Sequence, residues 1–169
     1  MGVPDPNTVG HMLTAWRKQD PKAARQYVLS IEDTTLRRQF LVAYFEGTDK
    51  EARAFASSLP PGGDRNAVVQ GLAYGWATDD PAGALAYLQS EPDSPAGRDA
   101  AAKMVGGIGY KDPAAAFAWA NQVPEGLRER AVVTALEHWR QKDITAAAAA
   151  VSAMPGGPLK TAATKALAK

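Results

Sequence analysis

The chain has 169 residues, 19 basic and 18 acidic side chains, a net charge of +1 and no cysteine. Near-balanced charge gives no general pull toward nucleic acid or a membrane surface, and the lack of cysteine excludes a disulfide framework and a thiolate metal site. The length suffices for one domain with a sizeable core.

Alanine is abundant while isoleucine and threonine are sparse, which favours helix over sheet. The opening residues, Met1-Gly2-Val3-Pro4-Asp5-Pro6, lack the basic start and apolar run of a signal peptide. The longest purely apolar run, residues 146–151, is far too short to span a bilayer. The compartment stays open, with the cytoplasm as the default.

In chain order, the first predicted helix covers 7–18. It is followed by five pairs, an A helix and then a B helix. The A helices are predicted at 21–31, 49–58, 81–90, 113–122 and 144–153, and the B helices at 34–46, 64–77, 95–109, 126–141 and 158–168. The signal is a repeat. Asp20, Thr48, Asp80, Asp112 and Asp143 open the A helices at spacings of 28, 32, 32 and 31 residues. Pro60, Pro92, Pro124 and Pro155 each follow their opener by twelve residues, and Glu32 takes that place in the first copy. An Asp or Thr opener accepts hydrogen bonds from the free amides of the first turn. Pro21, Pro81 and Pro113 come next, where a missing N–H costs nothing. The later proline stops the helix, because its ring clashes with a continuing helical backbone.

Counted from each opener, position +4 is Ala24, Ala52, Ala84, Ala116 and Ala147. Position +7 is Tyr27, Phe55, Tyr87, Trp119 and Ala150, and position +8 is Val28, Ala56, Leu88, Ala120 and Val151. Position +11 is Ile31, Leu59, Glu91, Val123 and Met154. These positions form one stripe of a helix with a 3.6-residue period. Counted back from the next opener, position −4 is Trp16, Tyr44, Trp76, Ile108 and Trp139. Position −7 is Leu13, Leu41, Ala73, Val105 and Leu136, and position −8 is Met12, Phe40, Leu72, Met104 and Ala135. Units of about 31 residues that cannot bury their apolar faces alone stack into a continuous core. The expected fold is therefore all-α: an α-solenoid of about five helix-turn-helix repeats that starts and ends with a B-type helix. It forms one domain over 1–169, with a half-repeat at 7–18 and repeats at 20–47, 48–79, 80–111, 112–142 and 143–169.

At the far end, the next large −4 anchor would fall near positions 170–171, beyond Lys169, and Gly2 after Met1 resembles a cloning scar. A fragment of a longer repeat protein fits this end. So does a natural polar cap, since Lys160, Thr161, Thr164, Lys165 and Lys169 crowd the last helix.

Asp112-Pro113-Ala114-Ala115-Ala116, then Trp119, then Val123-Pro124-Glu125-Gly126 resembles a class of bacterial helical-hairpin repeats. In these, Asp-Pro-x-Ala-Ala opens a helix, an aromatic follows, and Leu-Pro or Val-Pro plus Gly ends it. The resemblance covers nearly the whole chain and is broadly like the tetratricopeptide and HEAT solenoids. It implies a scaffold or binding surface. The chain departs from the tetratricopeptide pattern of about 34 residues with Trp-Leu-Gly-Tyr spacing, so no peptide-binding residues carry over.

Catalytic, cofactor and metal residues are all expected to be none. His11 and His138 lack a readable orienting partner and pocket, and no His/Asp cluster has metal-ligand spacing. Gly106-Gly107-Ile108-Gly109 lacks the GxGxxG order and a preceding strand, and reads as close helix packing or fraying of the third B helix. Asp79-Asp80 sits at a cap, where it favours the helix dipole.

Two features carry candidate partner-binding residues. A basic ladder near the starts of the B helices holds Arg37, Arg38, Arg65, Arg98, Arg128, Arg130 and Lys160. It suits a phosphate backbone or an acidic peptide. Its alternative is structural, with each cation on a turn carbonyl or on an acid such as Asp64, Asp99 or Glu129. Position +5 drifts from Arg25 and Arg53 to Leu85 and Phe117. The last two form either an exposed apolar patch or a contact buried against an adjacent A helix. The leading expectation is a non-enzymatic, monomeric module for a protein or peptide partner. The alternatives are a nucleic-acid backbone binder using the ladder (Arg38, Arg65, Arg98, Arg130) and an enzyme built on a solenoid.

Overall fold

Asp20, Asp80, Asp112 and Asp143 each accept a hydrogen bond at 2.9 Å from the N–H three residues on. These caps set where the A helices begin. The computed structural model describes residues 6–45 and 50–168, so Thr48, the second opener, lies outside the described residues. Among the described residues the chain is all-helical, with no strand. The helices are α1 (Pro6–Gln19), α2 (Pro21–Ser30), α3 (Thr34–Tyr44), α4 (Lys50–Ser58), α5 (Gly63–Asp79), α6 (Pro81–Gln89), α7 (Pro95–Lys111), α8 (Pro113–Ala120), α9 (Glu125–Ser152) and α10 (Pro158–Leu167).

Eleven helices are expected from the sequence, and these ten contain all of them. Helix α9 carries two, merged across Asp143, whose φ of −156° and ψ of 90° break the helical backbone while its side chain caps the second segment. The expected ends shift by one or two residues. Helices α5 and α7 run on to Asp79 and Lys111 because no loop separates them from the next opener. The N–H of Asp20, Asp80 and Asp112 donates to the carbonyl of Trp16, Trp76 and Ile108, the −4 anchors. A single residue then turns the chain from one helix into the next. Helix α8 stops at Ala120 instead of 122, because Gln122 and Val123 donate to Trp119 and Ala120 in a tightened last turn ahead of Pro124.

Two caps were not foreseen. Asp33 accepts from the amides of Thr35 and Leu36 to start α3, and Ser94 accepts from Gly97 to start α7. Asp112→Ala removes a cap of the first kind and is expected to cost about 1 kcal/mol, read as a shift in the urea midpoint at unchanged m-value.

The chain divides into two compact units, Met1–Leu72 and Ala73–Lys169, with the division inside α5. In the first, α1, α2 and α3 pack on one another. Leu13, Ala24, Val28, Phe40, Leu41 and Tyr44 are buried, and the Tyr44 hydroxyl donates to the Pro21 carbonyl at 2.6 Å. In the second, α7 packs on α6, α8 and α9, and α9 also on α8 and α10. Three of the positions read from the repeat are buried in every copy, the +4 alanine, the +8 residue and the −7 residue, whereas at −8, −4 and +7 the first copies, Met12, Trp16 and Tyr27, are exposed.

Helix α7 fits between its neighbours through glycine. A Cβ on Gly107 would lie 2.0 Å from the Tyr74 carbonyl oxygen, so only glycine allows this approach to α5. His138 of α9 lies along the same helix, where a Cβ on Gly109 would meet its ring at 3.4 Å. The glycine run read as a packing motif is a packing motif.

Candidate interaction surface

The basic ladder is largely consumed inside the chain. Arg37 Nε pairs with Asp64 at 2.9 Å and Arg38 Nε with the same carboxylate at 3.3 Å. Arg98 pairs with Asp93 at 2.7 Å and Arg130 with Asp99 at 3.2 Å. Three cations share a further task. Arg37 donates to the Ile31 carbonyl at 2.8 Å, Arg128 to Val123 at 2.7 Å and Lys160 to Met154 at 2.9 Å. All three carbonyls are at position +11, where an A helix leaves acceptors unsatisfied and a cation complements the dipole. Arg65 is half-buried at the start of α5. In the second unit Arg98 and Arg130 line one cleft of about 470 Å³ together with Glu125 and Glu129, so the two cations meet two acids rather than an uncompensated basic edge.

The +5 positions are partly covered. Leu85 and Phe117 are half-buried, and the Phe117 ring sits 5.6 Å from that of Trp139. Arg53 is half-buried too, and Arg25 holds its guanidinium 5.2 Å from the centre of the Phe55 ring, a cation–π contact.

A different feature of the second unit has the character of a site. A groove of about 410 Å³ is lined by Ala77, Pro81, Ile108, Ala115, Ala118 and Trp119, with Lys111 and Gln122 among its polar groups. Trp119 is fixed there by its indole N–H, which donates to the Pro81 carbonyl at 2.9 Å. Ala115 and Ala118 stand at +3 and +6 of their repeat, and their missing bulk opens the space beside the indole. Sequence reasoning missed this groove. The available signal was the pairing of small +3 and +6 residues with the largest +7 aromatic.

His11 is exposed and His138 half-buried. Among the described residues no group of three His, Asp or Glu side chains is placed to hold a metal ion, and no helix is long and apolar enough to cross a membrane.

No family model matches the chain, and no curated protein or solved structure matches it.

Proposed function

We propose that this chain is a non-enzymatic protein-interaction module built of stacked helical hairpins, similar to the bacterial hairpin repeats, and that it holds a partner peptide in the groove beside Trp119. The observation that carries this reading is the groove itself. Its volume of about 410 Å³ falls in the range of ligand sites, and its mostly apolar lining with a few polar groups is their usual chemistry. A fixed aromatic at its wall is the kind of anchor that concentrates binding energy. The nucleic-acid reading loses its main support, since Arg38, Arg98 and Arg130 are paired to acids of the chain.

Ala118 lines the groove and is exposed, so Ala118→Arg fills the site without touching the core. Peptides selected from a display library on the wild-type chain are expected to lose at least about tenfold in affinity for this variant, with the helical circular dichroism unchanged. Equal affinity would remove the groove from consideration. Binding of an unstructured oligonucleotide with a steep salt slope would favour the backbone-binding alternative instead.

A further inference from the structure

The groove beside Trp119 has spent most of its own polar groups. The indole N–H of Trp119 donates to the Pro81 carbonyl at 2.9 Å, the Thr78 hydroxyl to the Tyr74 carbonyl at 3.1 Å, and the Gln122 amide nitrogen to the Ala118 carbonyl at 3.3 Å. The Asp112 carboxylate accepts from the Ala115 N–H at 2.9 Å, and the positive end of α8 compensates its charge there. One lining group is left over. Lys111 is exposed on the groove wall, and among the described residues its ammonium has no ion pair and no hydrogen bond. A second cation stands at the same end of α7. The Lys142 ammonium lies 2.6 Å from the Tyr110 carbonyl oxygen and 3.5 Å from that of Lys111. Its neighbour Asp143 is spent on a cap, accepting from the Ala146 N–H. The cleft of Arg98 and Arg130 differs, because each of those cations already has an acid.

The groove therefore offers a ligand two things. Ile108, Ala115, Ala118 and the Trp119 indole offer an apolar surface, which favours a large apolar group because burial takes that group out of water. Lys111 offers an ammonium with its three donors unspent. A carboxylate on the ligand accepts from those donors in charge-assisted bonds. An ammonium or guanidinium on the ligand meets like charge instead, and the one acid of the lining is committed to a helix cap.

We propose that the peptide held in this groove carries an aspartate or glutamate next to the large apolar residue that enters beside Trp119, with its carboxylate on Lys111. The assignment rests on the groove being the peptide site, and it adds the chemistry that selects the peptide. The ion pair is open to solvent, so it gives selectivity more than strength. It contributes about two- to fivefold in affinity, while the apolar anchor supplies the larger share. Added salt weakens the pair.

Short random peptides displayed and selected on the wild-type chain, then synthesised with acetylated and amidated ends, test this. They are expected to be enriched in Asp or Glu beside a large apolar residue. Selection on Lys111→Glu is expected to lose that enrichment and to bring Lys or Arg to the same place. For one selected peptide, changing its acid to the neutral amide is expected to weaken binding about two- to fivefold at low salt on the wild type, and not at all on Lys111→Gln. Lys111 is exposed, so both variants are expected to keep the wild-type circular dichroism. The proposal is overturned if the selected peptides carry no excess of acid, or if the acid-to-amide change costs as much on Lys111→Gln as on the wild type. Ala118→Arg separates this claim from the one beneath it. If Ala118→Arg weakens the peptides while their acid makes no difference, the groove stands and the role of Lys111 falls. If no peptide is selected, or if the peptides bind Ala118→Arg as they bind the wild type, both fall.

Discussion

Trp119→Ala is expected to destabilise the chain by about 3–5 kcal/mol, the usual cost of truncating a large buried aromatic. Trp119 is buried at +7 of its repeat and hydrogen-bonded to the start of α6. Two losses add. The indole surface leaves the core, and the Pro81 carbonyl loses its donor at 2.9 Å. Against a total stability of about 5–15 kcal/mol, this is a large fraction. Trp119→Phe separates the two losses, because it keeps much of the packing and removes only the hydrogen bond and part of the ring. It is expected to cost clearly less than the alanine. Urea titration followed by circular dichroism measures both. A near-neutral Trp119→Ala would mean that the +7 stripe is not core, and the register of the whole repeat would fall with it.

The second large effect is a contrast between neighbours. Gly107→Ala is expected to cost about 1–3 kcal/mol or more, as an overpacked site. The added carbon would sit 2.0 Å from the oxygen of Tyr74 and 2.9 Å from its carbonyl carbon, so backbone must move. Gly106→Ala places the same methyl 3.6 Å from the His138 ring nitrogen, ordinary contact distance. There the better helix propensity of alanine, worth about 1 kcal/mol, decides the sign, and the variant is expected to be more stable. Opposite shifts in the urea midpoint for two adjacent glycines are what close approach of α7 to α5 requires. Equal shifts would mean that α7 does not sit against the Tyr74 carbonyl.

Much of the fold was legible because its signals are local. An Asp cap and its proline act within one turn, and the stripes at +4, +7, +8 and −7 need only the helical period. What escaped depended on neighbours. Met12, Trp16 and Tyr27 have the same chemistry as buried counterparts such as Met104, Trp76 and Tyr87 and yet are exposed, which residue type alone does not reveal. The groove beside Trp119 is made by the absence of side chains on parts of four helices, which no single window of sequence contains. Asp33 and Ser94 cap α3 and α7 but fall off the interval that tied the other caps together. The pairing of the ladder was partly foreseen. Asp64 and Asp99 do take arginines, whereas Arg98 turns to Asp93, five residues back in its own turn.

The central claim is that the chain is made of interchangeable hairpins, with function in the residues that differ between them. Deleting residues 80–111 tests it most directly, because this removes one full period and rejoins each stripe in register. In a repeat array each unit leans only on its neighbours. The shortened chain is therefore expected to keep the helical signal per residue of the full chain and to melt cooperatively. Deleting half a period, residues 96–111, breaks the alternation of A and B helices and is expected to abolish both. A full-period deletion that unfolds, or a half-period deletion that does not, would contradict the account.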